Sequence, residues 1–214
     1  SALTPFLDEL PRPSTSISTL APFPDLAPEA ATFFDPTGRK GLARFYTIIA
    51  EERSVKFHRN LPPTDIWGYR DANVPATDVA LGPTFQERFE PNQFSAAIVR
   101  FQNRLNPNAQ GFGTPRLSTH LHGGHHPSRS DGFPADITVN GKPFNPIIEP
   151  GSHFDYSYPL FDPGLISGQP DKSDRPSTLW YHDHIVDFTG PNVYRGLAGL
   201  FEVFDKVGDG PDIG

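Results

Sequence analysis

The chain has 214 residues, a formal charge of −7 at pH 7 and a sequence pI of about 5.5. That length suits one large domain, or a domain with a long arm; no basic run suits a nucleic-acid surface and no apolar stretch approaches membrane-spanning length. Cysteine is absent, which excludes disulfides, thiolate metal ligands and a catalytic thiol. Methionine is absent as well, so a segment cut from the N-terminus, such as a leader, is an expectation. Twenty-five prolines and 19 glycines interrupt the chain too often for long helices, whereas 18 phenylalanines, 6 tyrosines and the Val/Ile runs favour strands. The fold class is therefore all-β, with short strands and long ordered loops.

Residues 1–40 are rich in Pro, Ser and Thr and read either as a disordered tail or as an extended arm, with Phe6, Leu7, Leu10, Phe23 and Phe34 available to lie on the body. Proline lowers the entropy that such an arm loses when it docks. Residues 42–58 carry strand residues, ending at His58, which reads as a surface or structural histidine. Pro62-Pro63 and a turn at Trp67-Gly68-Tyr69 close this segment. Residues 94–105 alternate: Ala97, Val99 and Phe101 on one side, Arg100, Gln102 and Arg104 on the other, the pattern of a half-buried strand. Residues 116–122 form the next strand, followed by a Gly- and Pro-punctuated loop in which His125 and His126 read as solvated, with channel lining or adventitious metal binding as the alternative. Asn140-Gly141, within 136–144, signals a hairpin. Residues 153–158 place Phe154, Tyr156 and Tyr158 on one face. A second histidine strand spans 177–186, a short connection runs through Gly190-Pro191, and 197–204 is the last strand. The domain is thus expected over 41–205, as a β-sandwich or barrel, with 206–214 a linker or chain end.

Two strands carry the chemistry: Thr119-His120-Leu121-His122-Gly123 and Trp180-Tyr181-His182-Asp183-His184. Side chains alternate along a strand, so His120 and His122 share one face, as do His182 and His184, while Leu121 and Asp183 point away. If the strands meet, four imidazoles converge. Histidines two apart stand about 6.6 Å apart at Cα, which allows both to hold one ion or each to hold a different ion. Four neutral imidazoles suit copper well and also admit zinc.

The strings HLHGGHHPSRSDGFP and TLWYHDHIVDFTGPNVYRGLAGLFEVFD resemble the N-terminal domain of the multicopper oxidases, above all the bacterial spore-coat laccases and their bilirubin-oxidase-like relatives. LTPFLDELPRPST, FHRNLPPTDIWGY and Gly82-Pro83-Thr84 extend the resemblance over nearly the whole chain. It implies a cupredoxin-like Greek-key barrel or sandwich. It implies His120 on a type 2 copper, His122 and His182 on one type 3 copper, and His184 on the other. Asp131 matches an acidic residue that helps deliver protons during O₂ reduction; it also reads as a turn residue before Gly132. Leu81, Phe133, Arg195 and a long 134–177 stretch depart from the family pattern, at positions that bear on loops rather than ligands.

The implied activity is oxidation of phenols, bilirubin-like pigments or metal ions, one electron at a time, coupled to four-electron reduction of O₂ to water. The type 1 copper needs a cysteine and is not in this chain, so the expected partners are the remaining cupredoxin domains, as a second chain or cleaved fragment, with a small reducing substrate and O₂. A location outside the cytoplasm (secreted, cell envelope or spore coat) is the matching expectation. Two alternatives stay open: a stand-alone copper-binding cupredoxin, and a four-histidine zinc site.

Overall fold

The computed structural model describes residues 4–5, 7–9, 11–15, 17–26, 42–76, 79–89, 95–133, 138–143, 147–160, 175 and 177–204. Its regular elements are β1 (Leu42–Val55), β2 (Thr64–Asp71), β3 (Phe85–Arg88), β4 (Ser95–Asn103), β5 (Thr119–His122), β6 (Thr138–Val139), β7 (Lys142–Pro143), β8 (His153–Leu160), β9 (Thr178–Asp183), α1 (Thr189–Tyr194) and β10 (Ala198–Phe204). Two four-stranded sheets, ordered β2-β1-β4-β8 and β3-β10-β9-β5, form the sandwich. Most pairs are antiparallel, but β1 pairs parallel with β4 and β3 parallel with β10. Among the described residues no helix is long and apolar enough to cross a membrane.

The period-two pattern explains the core. Tyr46, Ile48 and Ala50 of β1, Ala97, Val99 and Phe101 of β4, and Tyr156 and Tyr158 of β8 point inward from one sheet. Leu121, Leu179, Tyr181, Phe201 and Val203 answer from the other. Tyr181 stands at the centre, within 5.3–5.7 Å of the rings of Tyr69, Phe85 and Phe101. Its hydroxyl donates to the Pro83 carbonyl at 2.7 Å, so burial leaves no polar atom unpaired.

Three expectations are corrected. Trp67-Gly68-Tyr69 is not a turn but the middle of β2. Trp67 and Tyr69 are both buried, and the missing side chain at Gly68 leaves room for the Arg53 guanidinium. The short connection expected through Gly190-Pro191 is present and takes helical form: proline in the first turn of α1 loses no hydrogen bond, because the amides there have no partner within the helix. β4 is buried on both faces, not half-buried, because the arm covers the outer one. Leu20, Phe23 and Leu26 pack on Phe45, Ala96 and Ile98, and Leu20 N–H donates to the Phe45 carbonyl at 2.8 Å. Arg100, expected in solvent, instead forms a two-pronged ion pair with Asp155 (2.7 and 2.9 Å), reaches Asp25 at 2.8 Å and lies 4.2 Å over the Phe23 ring.

The arm is tied down elsewhere too. Ser18 N–H donates to Asp71 Oδ2 at 2.7 Å, and His58 Nε2–H donates to the Thr4 carbonyl at 2.9 Å. His58 is thus a satisfied structural histidine, as expected. The hairpin at Asn140-Gly141 is present, with φ of 51° and 76°, as a tight turn of strand-matched twist requires. Phe6, Leu10, Phe34, half of the 134–177 stretch and the 206–214 tail lie outside the described residues.

Candidate metal centre

The two histidine strands are neighbours. β5 is the last strand of its sheet and pairs antiparallel with β9 in a register that sets His120 opposite His182 and His122 opposite Trp180. Residues directly opposite on an antiparallel pair share a face, so the sheet gathers these rings on one side. The other side of the strands is core: Leu121 and Asp183 are buried. Ligand atoms of His120, His122 and His182 lie within 4.8 Å of one another. His184 lies one residue past β9, where its N–H donates to the Ser118 carbonyl at 2.8 Å. Its ring centre stands 5.2 Å from that of His120 and 5.5 Å from that of His182, as near as the trio's rings stand to one another, although it does not join their 4.8 Å group of ligand atoms.

The ring tautomers suit metal binding. His182 Nδ1–H donates to the Asp183 carbonyl at 2.8 Å, and His120 Nδ1–H donates to the Asp131 carbonyl. A carbonyl only accepts, so each ring carries its proton on Nδ1 and a free lone pair on Nε2. His182 Nε2 and His184 Nδ1 are buried and find no hydrogen-bond partner among the described residues. Burial pushes His182 down to about 4 and lowers His120 below its ordinary 6.5, with neighbouring imidazoles adding to both. Both rings therefore stay neutral, the ligating form, at pH 7. Three converging imidazoles with unpaired lone pairs fit a borderline transition-metal ion such as copper.

Asp131 is placed by its turn. A 3₁₀ turn, Ser128–Ser130, ends at Asp131, and Gly132 follows at φ 67°. A Cβ at Gly132 would strike the Thr119 carbonyl, so only glycine lets this turn lie against β5. The Asp131 carboxylate then stands 3.6 Å from His120 Nδ1 and is 41% exposed, at the solvent edge of the cluster.

Three further residues belong to the site. Trp180 stacks on His182 with ring centres 4.0 Å apart and on His122 at 5.4 Å, forming the floor under two candidate ligands. It sits two residues before His182, so strand periodicity already put it on the ligand face. Asp183 accepts from Ser118 N–H at 2.9 Å, Asn192 Nδ2–H at 2.9 Å and Ile185 N–H at 3.3 Å, locking β5, the end of β9 and α1 together. His126, expected in solvent, is only 5% exposed at its side chain, packed beside Tyr158 and His120.

No family profile matches the chain. A laccase from Bacillus stratosphericus is 29% identical over 220 residues, covering 95% of this chain and 34% of the laccase. A bilirubin oxidase from Albifimbria verrucaria is 31% identical over 165 residues, covering 77% of this chain and 22% of that enzyme. A multicopper oxidase crystal structure superposes with a TM-score of 0.54 at 23% identity, over 84% of this chain and 48% of the other, which supports the fold. The chain therefore spans about a third or less of the length of these two curated relatives. The strand pairing, the histidine cluster and these likenesses agree: the chain is a cupredoxin-like domain of the multicopper oxidase family.

Proposed function

We propose that this domain supplies one histidine wall of a multinuclear copper centre in a laccase-like oxidase. The whole enzyme would couple one-electron oxidation of phenolic, bilirubin-like or metal-ion substrates to four-electron reduction of O₂ to water. The observation that carries this reading is the trio of His120, His122 and His182, with ligand atoms within 4.8 Å of one another, and His184 beside it, its ring centre 5.2 Å from that of His120. Copper, when bound, supplies the electron transfer and the reduction of O₂.

In this reading His120 serves a type 2 ion, His122 and His182 serve one type 3 ion, and His184 serves the second. His184 does not join the trio's 4.8 Å group of ligand atoms, which supports a different ion for it. The hydrogen bonds from His120 Nδ1–H and His182 Nδ1–H hold those rings in one tautomer and one orientation. Trp180 shields one side of His122 and His182 from water. Asp131, at the solvent edge, passes protons inward, as a reaction that consumes protons requires.

The wall is one-sided. His122 is exposed, and Trp180 and Leu200 are each 36% exposed on the same sheet. Further ligands, and a type 1 copper that needs a cysteine, would come from additional cupredoxin domains, in the same polypeptide or a partner chain. Native mass spectrometry with copper counting on the purified protein tests this. Several copper ions, held only together with the additional domains and accompanied by O₂ consumption with a phenolic substrate, are expected. A lone 23.6 kDa species with no copper, or a colourless zinc protein inert toward O₂, refutes it.

A further inference from the structure

His126 lies four residues past the His120–His122 strand and plays no part in the reading above. Its Nε2 meets the Leu121 carbonyl at 3.1 Å, so Nε2 carries the proton and Nδ1 the lone pair. Its side chain is 5% exposed, and Nδ1 is buried without a hydrogen-bond partner among the described residues. A charged group beside it is Asp131, whose Oδ1 stands 3.9 Å from His126 Nδ1 and 3.6 Å from His120 Nδ1. Two acceptors thus face each other across a gap too wide for a direct hydrogen bond. A lone pair opposed to a carboxylate is stabilised by a cation between them. Zinc–nitrogen and zinc–oxygen bonds of about 2.0–2.2 Å let one ion bridge donors up to about 4.2 Å apart, and both spacings fall inside that limit.

We propose that His126 Nδ1 and the Asp131 carboxylate, with His120 alongside, form a second divalent-metal site that shares His120 with the first trio. Ligand atoms of these three residues also lie within 4.8 Å of one another. The imidazole and carboxylate donors select a first-row divalent ion of the Zn²⁺ or Cu²⁺ kind. His120 Nδ1 already donates to the Asp131 carbonyl, so it joins only by releasing that proton, and His126 and Asp131 hold the ion first. The site uses only residues of this chain and stands whether or not the oxidase reading does. Where that reading holds, an ion here withdraws Asp131 from proton delivery, and micromolar zinc would slow O₂ reduction.

Zinc alone is the probe, added to metal-free protein. In the His122→Ala/His182→Ala variant the first trio is gone, and one Zn²⁺ per chain by native mass spectrometry is expected to remain. Adding His126→Gln or Asp131→Asn is expected to weaken that binding by about tenfold or more. Unchanged binding after either addition, or no zinc in the double variant, overturns the site. Long-range ¹H–¹⁵N NMR of the histidine rings in the unmodified protein removes any dependence on how the variants fold. His126 Nδ1 is expected to start in the unprotonated range and to shift on zinc addition. A His126 signal that ignores zinc, as when a water molecule alone bridges the gap, refutes the proposal. Zinc bound only by the His122/His182 trio would leave the copper-wall reading intact while this one fails.

Discussion

Asp183 is the residue whose loss should most damage the scaffold behind the histidines. It is wholly buried, and both oxygens are engaged: Oδ1 by Ser118 N–H at 2.9 Å, Oδ2 by Asn192 Nδ2–H at 2.9 Å and Ile185 N–H at 3.3 Å. Asp183→Ala strands these donors. Asn192 Nδ2 keeps the Thr114 carbonyl at 3.0 Å, so the full penalty falls on two buried backbone N–H groups. At about 1–3 kcal/mol for each unsatisfied buried donor, the expected loss is about 2–6 kcal/mol, a large share of the roughly 5–15 kcal/mol that holds a typical domain together. Urea unfolding of metal-free protein, followed by tryptophan fluorescence and far-UV circular dichroism, measures it.

The same residue carries a pH signature. Burial pushes the Asp183 carboxyl from 3.8 up to about 7, against the pull of its hydrogen-bond donors. A folded pKa above the unfolded one means that the native state binds the extra proton between those values. Stability from this group is therefore full below about pH 4 and falls as pH rises toward 7, by at most about 4 kcal/mol. Asp183→Asn cannot titrate, so the wild-type-minus-Asn difference in unfolding free energy should shrink from pH 4.5 to 7.5. An Asp183→Ala variant within about 1 kcal/mol of wild type, or a difference that is flat with pH, would refute this account.

His182 should act in the opposite sense in the same window. Its folded pKa of about 4 lies below the ordinary 6.5, so the unfolded chain takes the proton that the folded one refuses, and metal-free stability should fall as pH drops from 6.5 toward 4. His182→Gln should remove that fall in urea melts. Gly199→Ala should cost about 1–3 kcal/mol by overpacking, because the new Cβ would press into the ring of the fully buried Tyr181; a variant that melts like wild type would refute this. Phe23→Ala should lower stability by about 1–2 kcal/mol, since it removes the edge-on contact with Phe45 and the cation–π contact with Arg100. An unchanged thermal midpoint would show that the arm contributes nothing at that point.

The alternation of residues along the chain determined a good deal by itself. It placed His120 with His122 and His182 with His184, turned Leu121 and Asp183 toward the core, put the hairpin at Asn140-Gly141, and excluded a thiolate-held copper, because each depends only on local geometry or residue type. It misread Trp67-Gly68-Tyr69 as a turn, since nothing local says that Arg53 fills the space over Gly68. It misread β4 as half-buried, since the cover comes from Leu20, Phe23 and Leu26, some 70 residues away in the chain. Only the tertiary structure decided that β5 and β9 pair with His120 opposite His182, because strand pairing brings together segments 62 residues apart by hydrogen bonds that no local pattern encodes. It also decided that His126 leaves solvent: that ring is buried by Tyr158, by a β5 carbonyl and by a turn which only Gly132 lets close against the strand.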